Sequence, residues 1–198
     1  LTVDLNLNAS QTINNRPPVA SMIGQAISAN PTFPAYAPDG TPFRDPTGTN
    51  PLRTLEIFED LTTINRVIGN LTASLAISKS FNWRTTIGID NANATRDIQN
   101  FPSQLPQQIG RLETVNNYNK NFLVENYLTY TYESTRHSLT ALAGFSYQEI
   151  FVQGRSTSIN QFPISEVDPR FNPGLGQELN LANNRPSGFA AINELQSY

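Results

Sequence analysis

The chain has 198 residues, 38% of them hydrophobic, which is enough for one or two ordinary domains, but only 15% are charged and the formal net charge is −3. The 13 Lys and Arg residues are scattered, which excludes a polyanion such as nucleic acid as partner, because phosphate binding needs clustered cations. With no cysteine, disulfides and thiolate metal sites are excluded too, and no apolar run reaches the ~20 residues of a membrane-spanning helix or forms a secretory leader. Strands that cross a membrane with about 9–11 alternating residues remain open.

Residues 1–8, LTVDLNLN, alternate fully between Leu1, Val3, Leu5, Leu7 and Thr2, Asp4, Asn6, Asn8, which predicts a strand. A sequence that opens inside a formed strand is expected to belong to something longer. Residues 9–63 read as a long loop rich in Pro, Asn and Gly. It carries a short helix from Val19 on, with Val19, Ile23, Ala26 and Ile27 on one face, a run of turns around Asp39-Gly40, and a second helix opened by Asn50-Pro51 and reaching about residue 60.

Alternation returns over residues 64–78 and, after a short turn, over 82–91, where Trp83, Thr85, Ile87 and Ile89 oppose Arg84, Thr86, Gly88 and Asp90. Residues 92–120, with Pro102 and Pro106, read as a second long connection. A second hairpin follows, with strands at 121–132 and 137–151. On its first strand Phe122, Val124, Leu128, Tyr130 and Tyr132 share a face that Asn126 interrupts; on its second, Leu139, Ala141, Ala143, Phe145 and Tyr147 do, while Leu142 falls on the polar face. Residues 152–186 form a third predicted loop, and 187–198 open towards a further strand.

The expected architecture is therefore all-β: an antiparallel up-and-down transmembrane β-barrel portion of about five strands, with long extracellular loops that carry short helices. Short turns alternate with long loops, as in outer-membrane barrels. Phe81, Trp83, Tyr130 and Tyr132 lie at the short-turn ends, and Tyr118, Phe122, Phe145 and Tyr147 are expected about one membrane thickness away, as two aromatic girdles. The competing class is a soluble all-β carbohydrate-binding module whose apolar faces pack as a sandwich.

Catalysis has little support, and no catalytic, metal or cofactor site is expected. The one histidine, His137, sits in a tight turn with no nucleophile motif to join it. Asp4, Asp90, Glu113, Glu125 and Glu149 are expected to line a wet interior or to pair with Arg66 and Arg84 rather than to form an acid–base pair. Asp90, Asn91 and Asn93 make an oxygen-rich cluster, or simply the start of a loop. The loop aromatics Phe33, Tyr36, Phe43 and Phe101, and further along Phe162 and Phe171, are the candidate ligand or partner contacts, since an exposed ring can stack on sugar or pack on a protein. The bland alternative is that they pack the loops together.

Four blocks, ANPTFPAYAPDGTPF (residues 29–43), NPLRTLE (50–56), NRVIGNLTASLAIS (65–78) and ENYLTYTYESTRHSLTALAGFSYQE (125–149), resemble the SusC/RagA group of TonB-dependent outer-membrane transporters, in that family's order. The resemblance implies an internal part of a 22-stranded nutrient-importing barrel in the bacterial outer membrane, in contact with membrane lipid. It also implies a SusD-like surface lipoprotein partner, glycan or peptide uptake, and energy from TonB through a plug domain. No plug, TonB-contacting segment or closing strand is matched within residues 1–198.

Overall fold

The computed structural model describes every residue except 48–49, 105–106 and 165–166, so Pro106 lies outside the described residues. Six strands, β1 (Thr2–Asn15), β2 (Phe58–Ala76), β3 (Phe81–Asn100), β4 (Gly110–Glu133), β5 (Ser138–Phe162) and β6 (Ser187–Ser197), form one sheet in chain order, each antiparallel to the next. Helices α1 (Val19–Ser28) and α2 (Pro51–Ile57) sit in the connection from β1 to β2. This is the all-β up-and-down sheet of a barrel portion.

Two tight turns close the short ends. At the first, Ile77 N–H donates to the Phe81 carbonyl at 2.9 Å, and the Ser78 hydroxyl accepts from the N–H groups of Ser80 and Phe81. At the second, Ser134 N–H donates to the His137 carbonyl at 2.8 Å while the Ser134 hydroxyl accepts from His137 N–H, so His137 is a turn residue.

Directly opposed residues in an antiparallel ladder share a face, so the register fixes the two faces. Leu5, Leu71, Ile87 and Val124 form one transverse row, and Leu75, Trp83, Leu128 and Ala143 another. With Leu7, Ile89 and Phe122 they make an apolar face, interrupted by Thr85 and Asn126 in the row between. The other face carries Asp4, Thr72, Thr86, Glu125 and Ser146 in one row and Arg84 and Tyr127 in the next. Among the described residues no second sheet covers the apolar face, which removes the basis of a packed sandwich.

The strands run further than alternation predicts. The first strand continues past residue 8 to Asn15, β2 begins at Phe58 rather than 64, β3 extends to Asn100 rather than 91, and β4 begins at Gly110 rather than 121. β5 reaches Phe162 rather than 151, and β6 makes a sixth strand where about five were expected. The segments read as loops 9–63, 92–120 and 152–186 thus contribute long ladders, leaving shorter connections between them. The physical reason is that alternation marks a sheet between unlike environments. Where polar residues occupy both faces, as over NANATRDIQN at the end of β3, nothing alternates, while the backbone ladder continues unchanged.

Packing is concentrated at this polar-flanked end. Ile57, Leu112 and Phe162 are buried there, together with Asp60, Thr62 and a fully buried Gln99. Phe162 and Phe101 serve this packing: Phe101 is half-buried, its N–H donating to the Ile57 carbonyl at 2.8 Å and its carbonyl accepting from Gln108 Nε2 at 3.0 Å. Helix α2 begins as the sequence predicts, with the Asn50 side chain accepting from Leu52 N–H and Pro51 in the first turn, but it stops at Ile57 because β2 pairing starts at Phe58.

Candidate functional site

The apolar band has a measurable height. On β3 it runs from Phe81 at the short turn to Asn91, where the first amide joins the row of Val67 and Lys120. Ten residues at about 3.3 Å each, with the roughly 40° strand tilt of a barrel, would span about 25 Å along the barrel axis, a height equal to that of the lipid-facing band of outer-membrane barrels. Aromatics mark both borders. Near the short turns the rings of Phe81 and Tyr130 lie 4.8 Å apart beside Trp83, and at the far border Phe122 lies below a Tyr118–Phe151 pair 5.9 Å apart, whereas Tyr147, opposite Val124, falls in the central row of the band rather than in the expected girdle. Phe145 departs from the expected girdle: it pairs with Asn126 within the band, its ring 5.4 Å from Tyr198.

The polar face is a connected surface. Arg66 donates two hydrogen bonds to Asp90 at 2.9 and 2.7 Å, Gln148 donates to Asn121 at 3.0 Å, and the hydroxyls of Thr72 and Thr86 meet at 3.3 Å. The Tyr127 hydroxyl donates to Glu125 at 3.2 Å while its ring lies over Gly144, where an added Cβ would come within 2.4 Å. Of the carboxylates expected on this face, Glu113 pairs with Arg111 at 2.8 Å, whereas Glu149 does not belong to it. Its register partner is Phe122, and it meets Lys120 at 3.3 Å on the opposite face, where the band gives way to polar residues. The oxygen-rich trio is likewise dispersed, because Asp90 points to one face of β3 and Asn91 and Asn93 to the other. Among the described residues no three His, Asp or Glu side chains cluster as metal ligands.

Beyond the band the sheet end is braced by charge. Arg96 grips the buried Asp60 carboxylate at 2.8 and 2.6 Å, and this guanidinium holds the Asp60 carboxyl below the usual carboxylate range against the opposing effect of burial. On the other face, Gln99 donates to Glu59 at 2.9 Å and accepts from Arg170 N–H at 3.1 Å, while the Arg170 guanidinium reaches Glu59 at 3.2 Å and Asp168 at 2.8 Å. This pins the β5–β6 connection to the sheet, with Arg170 also 5.2 Å from the centroid of the exposed Phe171 ring.

The loop aromatics divide. Phe33 and Phe43 come together, ring centroids 5.8 Å apart, in a cup of about 230 Å³ completed by Pro31, Pro34, Pro51 and Leu52. Asn50 holds it in shape by donating to the carbonyls of Ala35 at 3.0 Å and Phe43 at 2.8 Å, besides capping α2. Tyr36 stands outside the cup, 54% exposed beside a Gly40 turn at φ 83°, and Phe101, at the same end of the sheet, is tied instead to the last residue of α2, its N–H bonded to the Ile57 carbonyl. Next to the cup, α1 leaves Val19, Ile23 and Ile27 exposed.

A further cavity of about 410 Å³ escaped sequence reading. Asn100 of β3, Arg111 of β4 and Ser158 and Asn160 of β5 line it with Gln161 and Glu178. Its residues come from four separate stretches, and amides are ordinary in this composition, so no motif could have announced it.

No family model matches the chain, and no curated protein matches it either. Solved structures do. The structure of the RagAB peptide transporter aligns over 69% of this chain and 15% of that chain with a TM-score of 0.57 at 19% identity. The RagAB peptide importer in the "closed-closed" state aligns over 97% of this chain and 23% of that chain, with a TM-score of 0.66 at 15% identity. The chain spans less than a quarter of the length of either, and at these identities what it shares with that stretch of them is the fold.

Proposed function

We propose that this chain is wall and outer rim of a TonB-dependent importer of the SusC/RagA kind in the bacterial outer membrane, with peptide or glycan fragments as cargo and a SusD-like surface lipoprotein as partner. The observation that carries the reading is the single sheet with one predominantly apolar face over about 25 Å, bordered by aromatics, and a second face on which polar and charged side chains predominate. A sheet in water would have to cover that apolar face, whereas lipid covers it in a barrel. The likeness in fold to RagAB peptide transporter chains supports the same reading. On it, the apolar face meets lipid, the polar face lines the interior, the tight turns at 77–80 and 134–137 face the periplasm, and α1, the Phe33–Phe43 cup and the β5–β6 connection form the outer mouth.

Cysteine accessibility tests the orientation: residues 1–198 hold no thiol, and any cysteine elsewhere in the full-length protein is first replaced. In the full-length protein, Ser21→Cys in α1 should react with an impermeant maleimide on intact cells, and Lys79→Cys in the first tight turn only after permeabilisation. Equal labelling of both on intact cells, or recovery of the protein in the soluble fraction, would overturn the reading. Loss of growth on peptides or on glycans in a deletion strain then separates the two cargo classes.

A further inference from the structure

The 410 Å³ cleft between the ends of β3, β4 and β5 is of ligand-site size. It is built from inner strands of the sheet and the β5–β6 connection, away from the edge strands β1 and β6. One wall is a rigid polar frame. Glu178 accepts from Asn180 N–H at 2.8 Å, Gln161 Nε2 at 2.9 Å and Asn183 Nδ2 at 3.1 Å, and these donors keep its carboxyl below the usual range. Asn160 ties the same loop through Asn183 and Asn184 at 3.1 and 3.0 Å. Gln161 sits at φ 62°, a strained conformation for a residue with a side chain, and is held there by the Gln177 N–H bond to its carbonyl at 3.2 Å.

Against this frame stand the groups free to recognise something. The Asn100 side chain makes no hydrogen bond among the described residues and offers a donor and an acceptor side by side. The Arg111 guanidinium is 48% exposed, steadied by Glu113 and by the Ser158 hydroxyl at 3.3 Å. The exposed Ile109 adds an apolar contact. No aromatic ring lines the cleft, so the flat partner that the C–H face of a sugar seeks is missing. A peptide main chain, by contrast, presents alternating N–H and C=O groups that a primary amide and a guanidinium can match.

We infer that this cleft is a peptide subsite that grips the main chain of an extended oligopeptide at the outer rim, with Asn100 pairing with one peptide group and Arg111 donating to the next carbonyl. The inference rests on the proposed import function for its access to cargo, and on the cleft chemistry for its ligand. Main-chain recognition makes the subsite tolerant of side-chain sequence, as an importer of mixed peptides requires.

The test uses the full-length protein with Ser158→Cys, any cysteine outside residues 1–198 being first replaced so that the thiol in the cleft reports alone. In detergent, N-acetyl-trialanine amide should slow maleimide labelling of this thiol several-fold, while its N-methylated counterpart and maltotriose should not. Adding Asn100→Ala should abolish protection, the rate with peptide matching that of the same double variant without it. Absence of protection by the blocked tripeptide, equal protection by the N-methylated peptide, or protection by maltotriose instead would each overturn the inference. Labelling on intact cells reports separately on the import reading: a thiol protected by peptide in detergent but unreactive on cells leaves the cleft standing and removes the surface location.

Discussion

Replacing Ile87 with arginine should destabilise the protein more than the same change one residue away. Ile87 lies in the central apolar row with Leu5, Leu71 and Val124, six residues from the Phe81 border and four from the Asn91 border. At about 3.3 Å per residue and about 40° of tilt, those spans put it roughly 15 Å and 10 Å from the two edges of the band, close to mid-membrane. A lipid-facing arginine at that depth costs about 2–4 kcal/mol. Thr86→Arg is the matched control: it sits at the same depth on the polar face, and what it gives up is the 3.3 Å hydroxyl contact with Thr72, about 0.5–1 kcal/mol. Leu71→Arg should behave like Ile87→Arg because the two are register partners, and Leu142→Arg, opposite Thr129 on the polar face near the tight turn, should be mild. Urea titrations of the full-length protein in lipid vesicles give the four values. Equal costs at Ile87 and Thr86 within about 1 kcal/mol, or a larger cost at Thr86, would refute the assignment of faces.

Two further outcomes follow from the same geometry. Because Arg96 holds the Asp60 carboxyl below its ordinary pKa, that pair stabilises the fold fully above about pH 4 and the contribution disappears as pH falls through the lower folded value. Asp60→Asn should therefore cost about 1–2 kcal/mol at neutral pH and flatten the acid limb of a plot of urea midpoint against pH from 2 to 7; an unchanged acid limb would show that the pair is not coupled to folding. Gly144→Ala should cost about 1–3 kcal/mol, since the new Cβ would meet the Tyr127 ring at 2.4 Å. Tyr127→Ala in the same chain should relieve much of that loss, and additive costs in the double mutant would refute the contact.

The barrel-type sheet was legible because two unlike faces impose opposite demands on successive residues. Leu1 to Asn8, Trp83 to Asp90 and Leu139 to Gln148 carry those demands residue by residue, and Asn50-Pro51 announces α2 through capping chemistry that is local. The turns at Ser78–Phe81 and Ser134–His137 were legible for the same reason, their bonds spanning three residues. What sequence pattern lost was the outer part of every long strand. Over Asn91–Asn100 of β3 and Gly110–Lys120 of β4 polar residues occupy both faces, so nothing alternates, and pairing between the two is decided by partners 11 to 29 residues away along the chain.

The candidate sites were decided at that same outer end. Phe33 and Phe43 were chosen from the sequence together with Tyr36 and Phe101, but it is Asn50, reaching back to the carbonyls of Ala35 and Phe43, that folds the first two into a shared cup and leaves the others out of it. The cleft of Asn100, Arg111, Ser158 and Glu178 exists because three strand ends and one returning loop meet in register. Local alternation and capping chemistry thus determined which segments are strands and which way their faces point. The tertiary ladder determined how far those strands extend and which distant polar groups stand together, because amides and charges in water carry no period of their own until a neighbouring strand fixes their place.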